Sequence, residues 1–213
     1  MNQQAEIRYL NEKEDWQEAG NEPIQWTIMP ERRDLGEFLR RQGYCMVDRT
    51  IRATISLKNR DFSRFCRIPL EQIKGPEERI YEIAESSFLL DSRFLMDASA
   101  RTEEIKEQIR LFVRSMGEIH ICRCKNEIAG FLEIVAGGKI QEKQAFIRLA
   151  AVDEAYRTAG VALSLYAGVA DLCRMRGIQK LLGRISSRNM AVMNLYATLG
   201  AAFSLPQDVY VRG

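Results

Sequence analysis

Three apolar segments with strand-like alternation follow one another closely between Ile119 and Val152, and a helical segment begins soon after the third. The strands are predicted at residues 119–124, 128–135 and 145–152. Asn126-Glu127 and Gly137-Gly138 mark the two turns between them. Because connections this short join antiparallel neighbours, the segments predict a three-stranded meander. The third strand must then lead directly into a helix at residues 159–176, which ends at Gly177.

The remaining segments predict a mixed sheet with helices on both faces. Further strands are expected at residues 24–28, 44–47, 50–57, 62–68, 180–185 and 209–212, and further helices at residues 31–42, 76–88 and 189–199, with another that begins at Thr102. This order indicates the α+β class, with a mixed, mostly antiparallel central sheet. Residues 1–22 predict a loosely held arm or a short helix around Trp16. We divide the chain into a small N-terminal α+β unit at residues 1–58 and a main domain at residues 59–213.

Composition and charge favour a globular cytoplasmic protein. Of the 213 residues, 46% are apolar and 28% are charged, which is the balance of a folded chain. The formal net charge is only +2, whereas a nucleic-acid-binding protein usually has a clear basic excess, so no nucleic-acid partner is expected. No apolar run is long enough to cross a bilayer, and the N-terminus lacks a hydrophobic signal segment. We therefore expect a cytoplasmic location and no membrane partner.

The cysteines do not form a recognisable metal-binding or disulfide pattern. Their number is odd and they are scattered along the chain, at Cys45, Cys66, Cys122, Cys124 and Cys173. Cys122 and Cys124 lie two residues apart in a predicted strand, so they must point to the same face, as metal ligands or a redox pair would. Without a second cysteine pair we expect core or surface thiols and no metal cofactor.

The turn from the last meander strand into the helix carries the strongest chemical signal. It reads Val152-Asp-Glu-Ala-Tyr-Arg-Thr-Ala-Gly-Val-Ala162. The first backbone N–H groups of a helix have no partners within it, and the helix dipole adds positive charge there, so such a turn can bind a pyrophosphate. Gly160 and the small Ala162 let the backbone approach phosphates, and Arg157 can add a charged donor. Taken alone, the segment is equally typical of an ordinary tight strand-to-helix turn.

A second patterned segment, at residues 189–203, favours the phosphate-binding interpretation. In it Asn189 is followed seven residues later by Tyr196, and Tyr196 four residues later by Gly200. Together with the turn before it, this spacing resembles the GCN5-related N-acetyltransferase (GNAT) superfamily over about residues 60–213. Glu154 stands where that family often has proline, and Thr158 where it often has glycine. Neither departure removes a backbone N–H group.

The resemblance implies acetyl-coenzyme A as the acyl donor and assigns residues to it. The N–H groups of the turn would hold the pyrophosphate, the end of the meander strand would pair with the pantetheine arm, and an asparagine would contact the coenzyme near splayed strands. The residues so implied are Ala150, Ala151, Val152, Arg157, Thr158, Ala159, Gly160, Val161, Ala162 and Asn189.

The same resemblance implies that Tyr196 is the general acid that protonates the departing thiolate. The ordinary pKa of a phenol is about 10, somewhat above that of a thiol, so this proton transfer is feasible in the right geometry. The alternative is a helix-face aromatic ring packed in the core. For the general base, Glu133 is a candidate because it is an acid within an apolar central strand, although it could equally face solvent. His120, the single histidine, fits a structural role better, and water could serve as the base.

The acceptor side is predicted from the segment at residues 83–97, which with the N-terminal unit resembles the TDP-fucosamine acetyltransferase group. This implies direct transfer to a primary amine, on a nucleotide-linked amino sugar. Arg93 would contact a phosphate or carboxylate of the acceptor, with Phe94 beside it; alternatively Phe94 fills the core below a surface loop. Two other functions stay open: a non-catalytic acyl-CoA-binding sensor, and an acetyltransferase for a protein, amino acid or polyamine. Family resemblance also implies a homodimer.

Overall fold

Ten strands form one continuous sheet in the computed structural model, which describes residues 6–12, 24–136 and 143–213. The strands are β1 (Glu6–Tyr9), β2 (Ile24–Ile28), β3 (Tyr44–Ser56), β4 (Leu70–Ile73), β5 (Glu118–Cys124), β6 (Glu127–Ala136), β7 (Gln144–Val152), β8 (Lys180–Ser186), β9 (Ala202–Phe203) and β10 (Gln207–Arg212). The helices of the same residues are α1 (Arg33–Arg41), α2 (Glu78–Phe88), α3 (Thr102–Arg114), α4 (Val161–Met175) and α5 (Met190–Thr198).

The sheet is mixed and mostly antiparallel, as the sequence predicts. Its strand order is β1-β2-β10-β3-β8-β7-β6-β5-β4, and the short β9 pairs with β3. Among these strands, the β1–β2 and β7–β8 pairs are parallel. Strands β5, β6 and β7 form the expected antiparallel meander. The α+β fold class is therefore confirmed, and the meander lies beside the parallel pair of β7 and β8.

Helices cover both faces of the sheet, and on each face a pair of helices packs over one apolar cluster. Helices α4 and α5 pack with β3, β6, β7 and β8 around a cluster that includes Leu165 and Tyr196. Helices α2 and α3 pack on the other face, where Ile83 and Ile109 are buried with Phe131. Helix α4 has apolar residues on nearly all sides, which suits a helix buried between the sheet and its neighbours. These two layers hold β6 and β7 between them.

The N-terminal segment belongs to the same sheet. Strand β3 lies between β10 and β8, and β2 pairs with the other side of β10. Helix α1 covers a separate small cluster in this region, which includes Trp26, Leu35 and Tyr210. The domain boundary at residue 58 stays a prediction. The two strands predicted at residues 44–47 and 50–57 are one continuous strand, because the polar residues between them, Asp48 and Arg49, find partners on other elements.

The strand predicted at residues 62–68 is wrong. A single turn of 3₁₀ helix occupies Ser63–Phe65, and the edge strand β4 begins only at Leu70. The alternation arose because Phe62 fills the core while Ser63 binds the Asp61 side chain through its N–H group at 2.8 Å. The segment is instead held by α4, where the Ser164 hydroxyl donates to the Phe65 carbonyl at 3.1 Å. Tertiary contacts therefore override the local pattern.

Two sequence predictions fall outside the described residues. One is most of the arm around Trp16 at residues 1–22, and the other is the turn at Gly137-Gly138. Within the described ranges, none of the helices combines the length and the apolar character that a membrane crossing requires.

Candidate active site

Strands β7 and β8 diverge halfway along their length. They pair in parallel from Gln144 and Lys180 up to Ile147 and Gly183, and beyond that point β7 continues beside β6 while β8 continues beside β3. A bulge at Arg148 in β7 marks the divergence, since Glu133 pairs with Leu149 and its neighbour with Ile147. The edge of β7 from residue 148 to residue 152 therefore has main-chain groups that β8 does not pair.

A cavity of about 540 Å³ lies at this divergence. Its walls come from β7, β8, the C-terminal end of α2 with the loop after it, Tyr166 of α4, and α5 with the residues just before it. Among the residues singled out from the sequence, the cavity brings together Arg93, Ala150, Asn189 and Tyr196. Ala150 and Arg93 lie 46 and 103 positions before Tyr196 in the chain, and the fold brings all three to one cavity. The volume is that of an ordinary small-molecule pocket.

The turn between β7 and α4 has the form that the sequence predicts for an anion-binding turn. Helix α4 begins after Gly160, whose φ of +74° is a left-handed conformation that favours glycine. No side chain caps this helix end, so the first-turn N–H groups of Val161 and Ala162 are not satisfied by a cap. The Asp153 side chain accepts from the Ala155 N–H at 2.8 Å and orders the turn, and Arg157 is exposed beside it.

Space is open in front of this turn. A Cβ atom added at Gly160 would meet no atom within 4 Å, whereas the Val161 side chain is fully buried and fixes the helix start on the sheet. Thr158 and Ala159 are exposed with Arg157. The helix N-terminus is therefore open on the side of Gly160, as an anion-binding turn requires.

Tyr196 reaches the divergence from α5. Asn189 caps this helix, accepting from the Val192 N–H at 3.1 Å, and thereby fixes the orientation of its first turns. The Tyr196 ring is 1% exposed and packs edge-to-face on Tyr166, with ring centroids 5.3 Å apart. Its hydroxyl lies against Gly183, the last residue at which β7 and β8 pair. The structure thus places Tyr196, which the sequence spacing singled out, at the cavity, and the sequence gave no signal for Tyr166 or Gly183.

Burial makes Tyr196 a tightly protonated group. Removal from water raises the pKa of Tyr196 well above its ordinary value, and the neighbouring Tyr166 adds to this rise. Burial likewise raises the pKa of Tyr166 to about 12. The positive charge of Arg93 opposes both shifts and lowers the pKa of each phenol. At neutral pH both hydroxyls therefore carry their protons, and the Tyr196 hydroxyl interacts with that of Tyr166.

Gly183 is the residue that makes room for the Tyr196 hydroxyl. A Cβ atom at position 183 would lie 1.8 Å from the Tyr196 hydroxyl oxygen and 2.6 Å from Cζ. We expect Gly183→Ala to cost about 1–3 kcal/mol of unfolding free energy through overpacking. Because a misplacement of about 1 Å can cost about 100-fold in rate, kcat should fall by at least tenfold.

Urea unfolding and steady-state kinetics test the Gly183 prediction, and Gly168→Ala is its control. A Cβ at Gly168 in α4 would make only ordinary contacts, at 3.4 Å from Leu70. That variant should retain kcat. Full activity in Gly183→Ala would show that the position of the Tyr196 hydroxyl does not matter.

Glu133 is fully buried and already engaged. Its carboxylate accepts from Arg148 Nε at 2.5 Å and Nη2 at 2.8 Å, and from the Gly117 N–H at 2.8 Å. Glu133 does not line the cavity, whereas Arg148 does. The Glu133 side chain thus lies behind Arg148 as seen from the cavity, and it holds the guanidinium of Arg148 at the bulge of β7.

Arg93 and Phe94 have different surroundings. Arg93 lines the cavity, binds Asp91 through Nε at 2.9 Å and Nη2 at 2.6 Å, and donates to the Arg148 carbonyl. Phe94 is 3% exposed and packs against Phe88 and Phe112. The Phe94 ring therefore fills the core, and Arg93 is the member of this pair that faces the cavity.

His120 lies on β5, away from the cavity, in a buried polar pair. Its Nε2 is 2.9 Å from Glu118 Oε1, and Arg176 binds the same carboxylate. Burial lowers the pKa of His120 below its ordinary value of 6.5, against the opposing effect of Glu118. Burial also raises the pKa of the Cys122 thiol to about 12. Within the described ranges, no three His, Cys, Asp or Glu side chains are grouped as metal ligands would be.

The depressed pKa of His120 predicts a loss of stability in mild acid. The unfolded chain takes up the imidazole proton before the folded protein does, so the unfolding free energy should fall as pH drops below about 6.5. Each unit of pKa depression corresponds to about 1.4 kcal/mol. Urea unfolding at pH 7 and pH 5 should show a smaller loss in His120→Gln than in the wild type. An equal loss in both proteins would contradict this assignment.

Comparison with known proteins places this fold and site in a family. The family model described as acetyltransferase (GNAT) family matches residues 77–201, which is more than half of the chain. These residues contain the divergence of β7 and β8, the turn before α4, and Tyr196. No curated protein sequence matches the chain.

Solved structures show the same fold at low sequence identity. A functionally unknown conserved protein from Staphylococcus epidermidis has 14% identity and a TM-score of 0.60, with 88% of this chain and 72% of that chain covered. A GCN5-related N-acetyltransferase from Sphaerobacter thermophilus has 14% identity and a TM-score of 0.55, with 88% and 59% covered. A GNAT-family acetyltransferase from Colwellia psychrerythraea has 11% identity and a TM-score of 0.54, with 88% and 65% covered.

The chain spans less than two thirds of the length of the latter two structures. At 11–14% identity, the three structures show that this chain has the same fold. The family match covers residues 77–201, which include the turn at residues 152–162 and the span from Asn189 to Gly200. The chain belongs to the GNAT family of acetyltransferases.

Proposed function

We propose that this protein transfers an acetyl group from acetyl-coenzyme A directly to a primary amine. The observation that carries the proposal is the divergence of β7 and β8 with the buried Tyr196 hydroxyl at its base. This arrangement provides a main-chain edge for an extended ligand and a protonated group at the point where that ligand would end. The family match supports acyl transfer as the class of reaction.

The coenzyme would lie across the divergence. First-turn N–H groups of α4 and the exposed Arg157 would bind its pyrophosphate. The unpaired edge of β7 at Ala150, Ala151 and Val152 would hydrogen-bond the pantetheine arm, which has amide groups of its own. Asn189 lies at the mouth of the cavity and would contact the coenzyme there. The thioester would then reach the interior near Tyr196.

The chemistry needs one bond made and one broken. The amine nitrogen attacks the thioester carbonyl carbon, a C–N bond forms, and the C–S bond breaks as the carbonyl re-forms. The sulfur leaves as a thiolate and takes the Tyr196 hydroxyl proton, while the proton lost by the amine passes to water. Arg93 would stabilise the phenolate for the moment it exists, since its charge lowers the pKa of both tyrosines. Positioned proton transfer of this kind contributes about 10²–10⁴-fold to rate.

Glu133 is assigned a positioning role in this proposal. Arg148 and the Gly117 N–H donate to both of its oxygens, and its side chain does not line the cavity. It would act through Arg148, which stands at the bulge that separates β7 from β8. Water is then the simplest acceptor for the amine proton.

The proposal extends to the acceptor and to the compartment. A nucleotide-linked amino sugar fits the cationic cavity because it would supply phosphates to the arginines; an amino acid would supply a carboxylate. The five cysteines are free thiols, which suits the reducing cytoplasm. A homodimer, and the absence of nucleic-acid and membrane partners, stay predictions from the sequence.

A thiol-release screen tests the proposed function. Purified protein and acetyl-CoA are incubated with amino-sugar nucleotides, amino acids, polyamines and a lysine peptide, and free coenzyme A is measured against a control without acceptor. At least one amine should release thiol faster than hydrolysis alone, with the acetylated amine detected by mass. Tight acetyl-CoA binding without turnover on any amine would favour a non-catalytic acyl-CoA sensor instead.

A further inference from the structure

The charge of the cavity wall is strongly one-sided. Its charged lining residues are Asp91, Arg93, Arg148, Arg184 and Arg188. Four guanidinium groups therefore face the cavity together with one carboxylate. A cavity that had to accept only a cationic or neutral amine would gain nothing from this excess, because like charges repel an ammonium group.

Carboxylates of the protein neutralise two of these arginines. Asp91 binds Arg93 through two hydrogen bonds, and the buried Glu133 binds Arg148 through two more. Arg188 is exposed, and its Nη2 donates to a main-chain carbonyl at 3.2 Å. Water can solvate the exposed Arg188, whereas the remaining guanidinium, that of Arg184, is partly buried and is paired with none of the carboxylates that the structure describes.

Arg184 is held in place but left without an anion. It lies on β8 directly after Gly183, and its Nε donates to the Thr50 hydroxyl at 3.1 Å. Its Nη2 is buried and has no hydrogen-bond partner among the residues that the structure describes. No ion pair within those residues involves Arg184.

The two carboxylates that act on Arg184 already bind other side chains. Asp48 accepts from the hydroxyls of Ser92 at 3.1 Å and Ser186 at 2.8 Å. Asp91 holds Arg93. Neither carboxylate forms a hydrogen bond with Arg184, although the negative charge of each raises the pKa of Arg184 at longer range.

A partly buried guanidinium with no anionic partner and one unsatisfied buried nitrogen is costly, and the protein keeps it at the wall of the cavity. Burial, with the charge of Arg93 adding to it, lowers the pKa of Arg184. The group nevertheless stays charged, because arginine is not deprotonated in proteins. Burying a charge without a partner costs several kcal/mol in general, so its retention here points to an anion that arrives with a ligand.

This anion is not the coenzyme pyrophosphate. The turn at residues 157–162 does not line the cavity, and its helix lies on the sheet face that carries the Tyr196 cluster. Arg184 points to the opposite face with Ser186, beneath the turn that contains Ser92. The turn at residues 157–162 and the Arg184 side chain therefore lie on opposite faces of the sheet.

We propose that Arg184 binds a carboxylate or phosphate group of the amine acceptor, so that the substrates are anionic amines. This inference rests on the proposed acetyl transfer and adds the substrate class to it. Arg184 stands beside the residue that the Tyr196 hydroxyl touches, so an anion bound there would anchor the acceptor close to the thioester. Bidentate contact with an oxyanion would also satisfy the buried Nη2.

Matched pairs of acceptors test the inference. One pair is an α-amino acid and its amide, and the other is an amino sugar and its phosphate ester. Each is assayed with wild type, Arg184→Met, Arg184→Lys and Arg52→Met. Arg52 is the cross-strand neighbour of Arg184 on β3, but it does not line the cavity, so its variant controls for loss of one positive charge. Methionine keeps the length of the side chain, and losing an unpaired buried charge is not expected to unfold the protein.

The wild type should prefer the anionic member of at least one pair by about 10- to 100-fold in kcat/KM, which is the strength of a charged hydrogen bond. The preference should fall close to one in Arg184→Met, mainly through KM, survive in part in Arg184→Lys, and persist in Arg52→Met. Because ratios are compared between variants, the intrinsic basicity of each amine cancels. The pair that responds tells whether the anion is a carboxylate or a phosphate. An equal preference in wild type and Arg184→Met would overturn the inference while leaving acetyl transfer intact.

A binding measurement keeps the inference testable if no amine is acetylated. Inorganic phosphate and acetate are titrated into wild type and Arg184→Met with coenzyme A at saturation, so that the pyrophosphate turn is occupied. Binding of either anion to wild type that is lost in Arg184→Met would support the anion site even though the proposed function had failed. Indistinguishable binding in the two proteins would refute it.

Discussion

Replacing Tyr196 with phenylalanine is expected to lower kcat by about 100-fold at neutral pH, because the thiolate must then leave without a positioned proton donor. The ring remains, so its packing on Tyr166 and in the core is preserved. The KM for acetyl-CoA should change little, since the hydroxyl is not part of the main-chain edge or the α4 turn. Steady-state kinetics with an active acceptor, and equilibrium binding of coenzyme A, measure the two effects separately.

The pH dependence of wild type refines this prediction. Burial raises the pKa of Tyr196 well above its ordinary value, so its proton is retained throughout the neutral range and kcat should not decline between pH 7 and 9 through loss of that proton. Tyr210→Phe is the matched control, because Tyr210 is a buried tyrosine in the separate N-terminal cluster. If Tyr196→Phe kept full kcat, or lost no more than Tyr210→Phe, the general-acid role would be excluded.

Replacing Arg148 with methionine should produce the largest loss of stability, about 3–5 kcal/mol of unfolding free energy. The Glu133 side chain is 1% exposed and the Arg148 side chain 27% exposed. Without the guanidinium, the buried carboxylate keeps only the Gly117 N–H as a partner. A loss of this size would be a large share of the stability of a typical domain. Urea unfolding of the two proteins measures it directly.

The matched comparisons separate burial from charge. Arg101→Met removes an arginine from an exposed pair with Glu104, whose side chains are 83% and 51% exposed, and should cost at most about 1 kcal/mol. The double variant Glu133→Met with Arg148→Met removes both charges and should recover much of the stability lost in Arg148→Met alone. A single-variant loss as small as that of Arg101→Met would mean that Glu133 is not confined as the structure indicates.

Local patterns predicted the elements whose signals lie within one short segment. Helices α2 and α3 each have a periodic apolar face, α4 and α5 are followed by Gly177 and Gly200, and short turns separate the apolar strands of the meander. Residues 62–68 failed because their alternation came from unrelated contacts, with Phe62 in the core and Ser63 bound to Asp61. Strand β3 was divided in two because Asp48 and Arg49 look like a break until their partners on β8 and β10 are known.

The residues of the candidate site likewise include some that local patterns predicted and others that only the structure revealed. Tyr196 was predicted because it stands at a fixed spacing from Asn189 within one helix, and the turn at Gly160 because its small residues are contiguous. Gly183 and Arg184 were missed, since a glycine and an arginine in a short strand have no distinguishing local pattern. Phe94 was predicted beside the acceptor, whereas its ring fills the core between Phe88 and Phe112.

The sequence by itself determined the order of the elements, the family and the turn that can bind an anion, because these depend on hydrophobic periodicity and on residues close together in the chain. Only the tertiary structure decided which charges are neutralised. Glu133 meets Arg148 and Arg93 meets Asp91, while Arg184 is left facing the cavity without a carboxylate. The physical reason is that a charge acts over a few ångströms in space, and those distances are set by how β7 and β8 diverge.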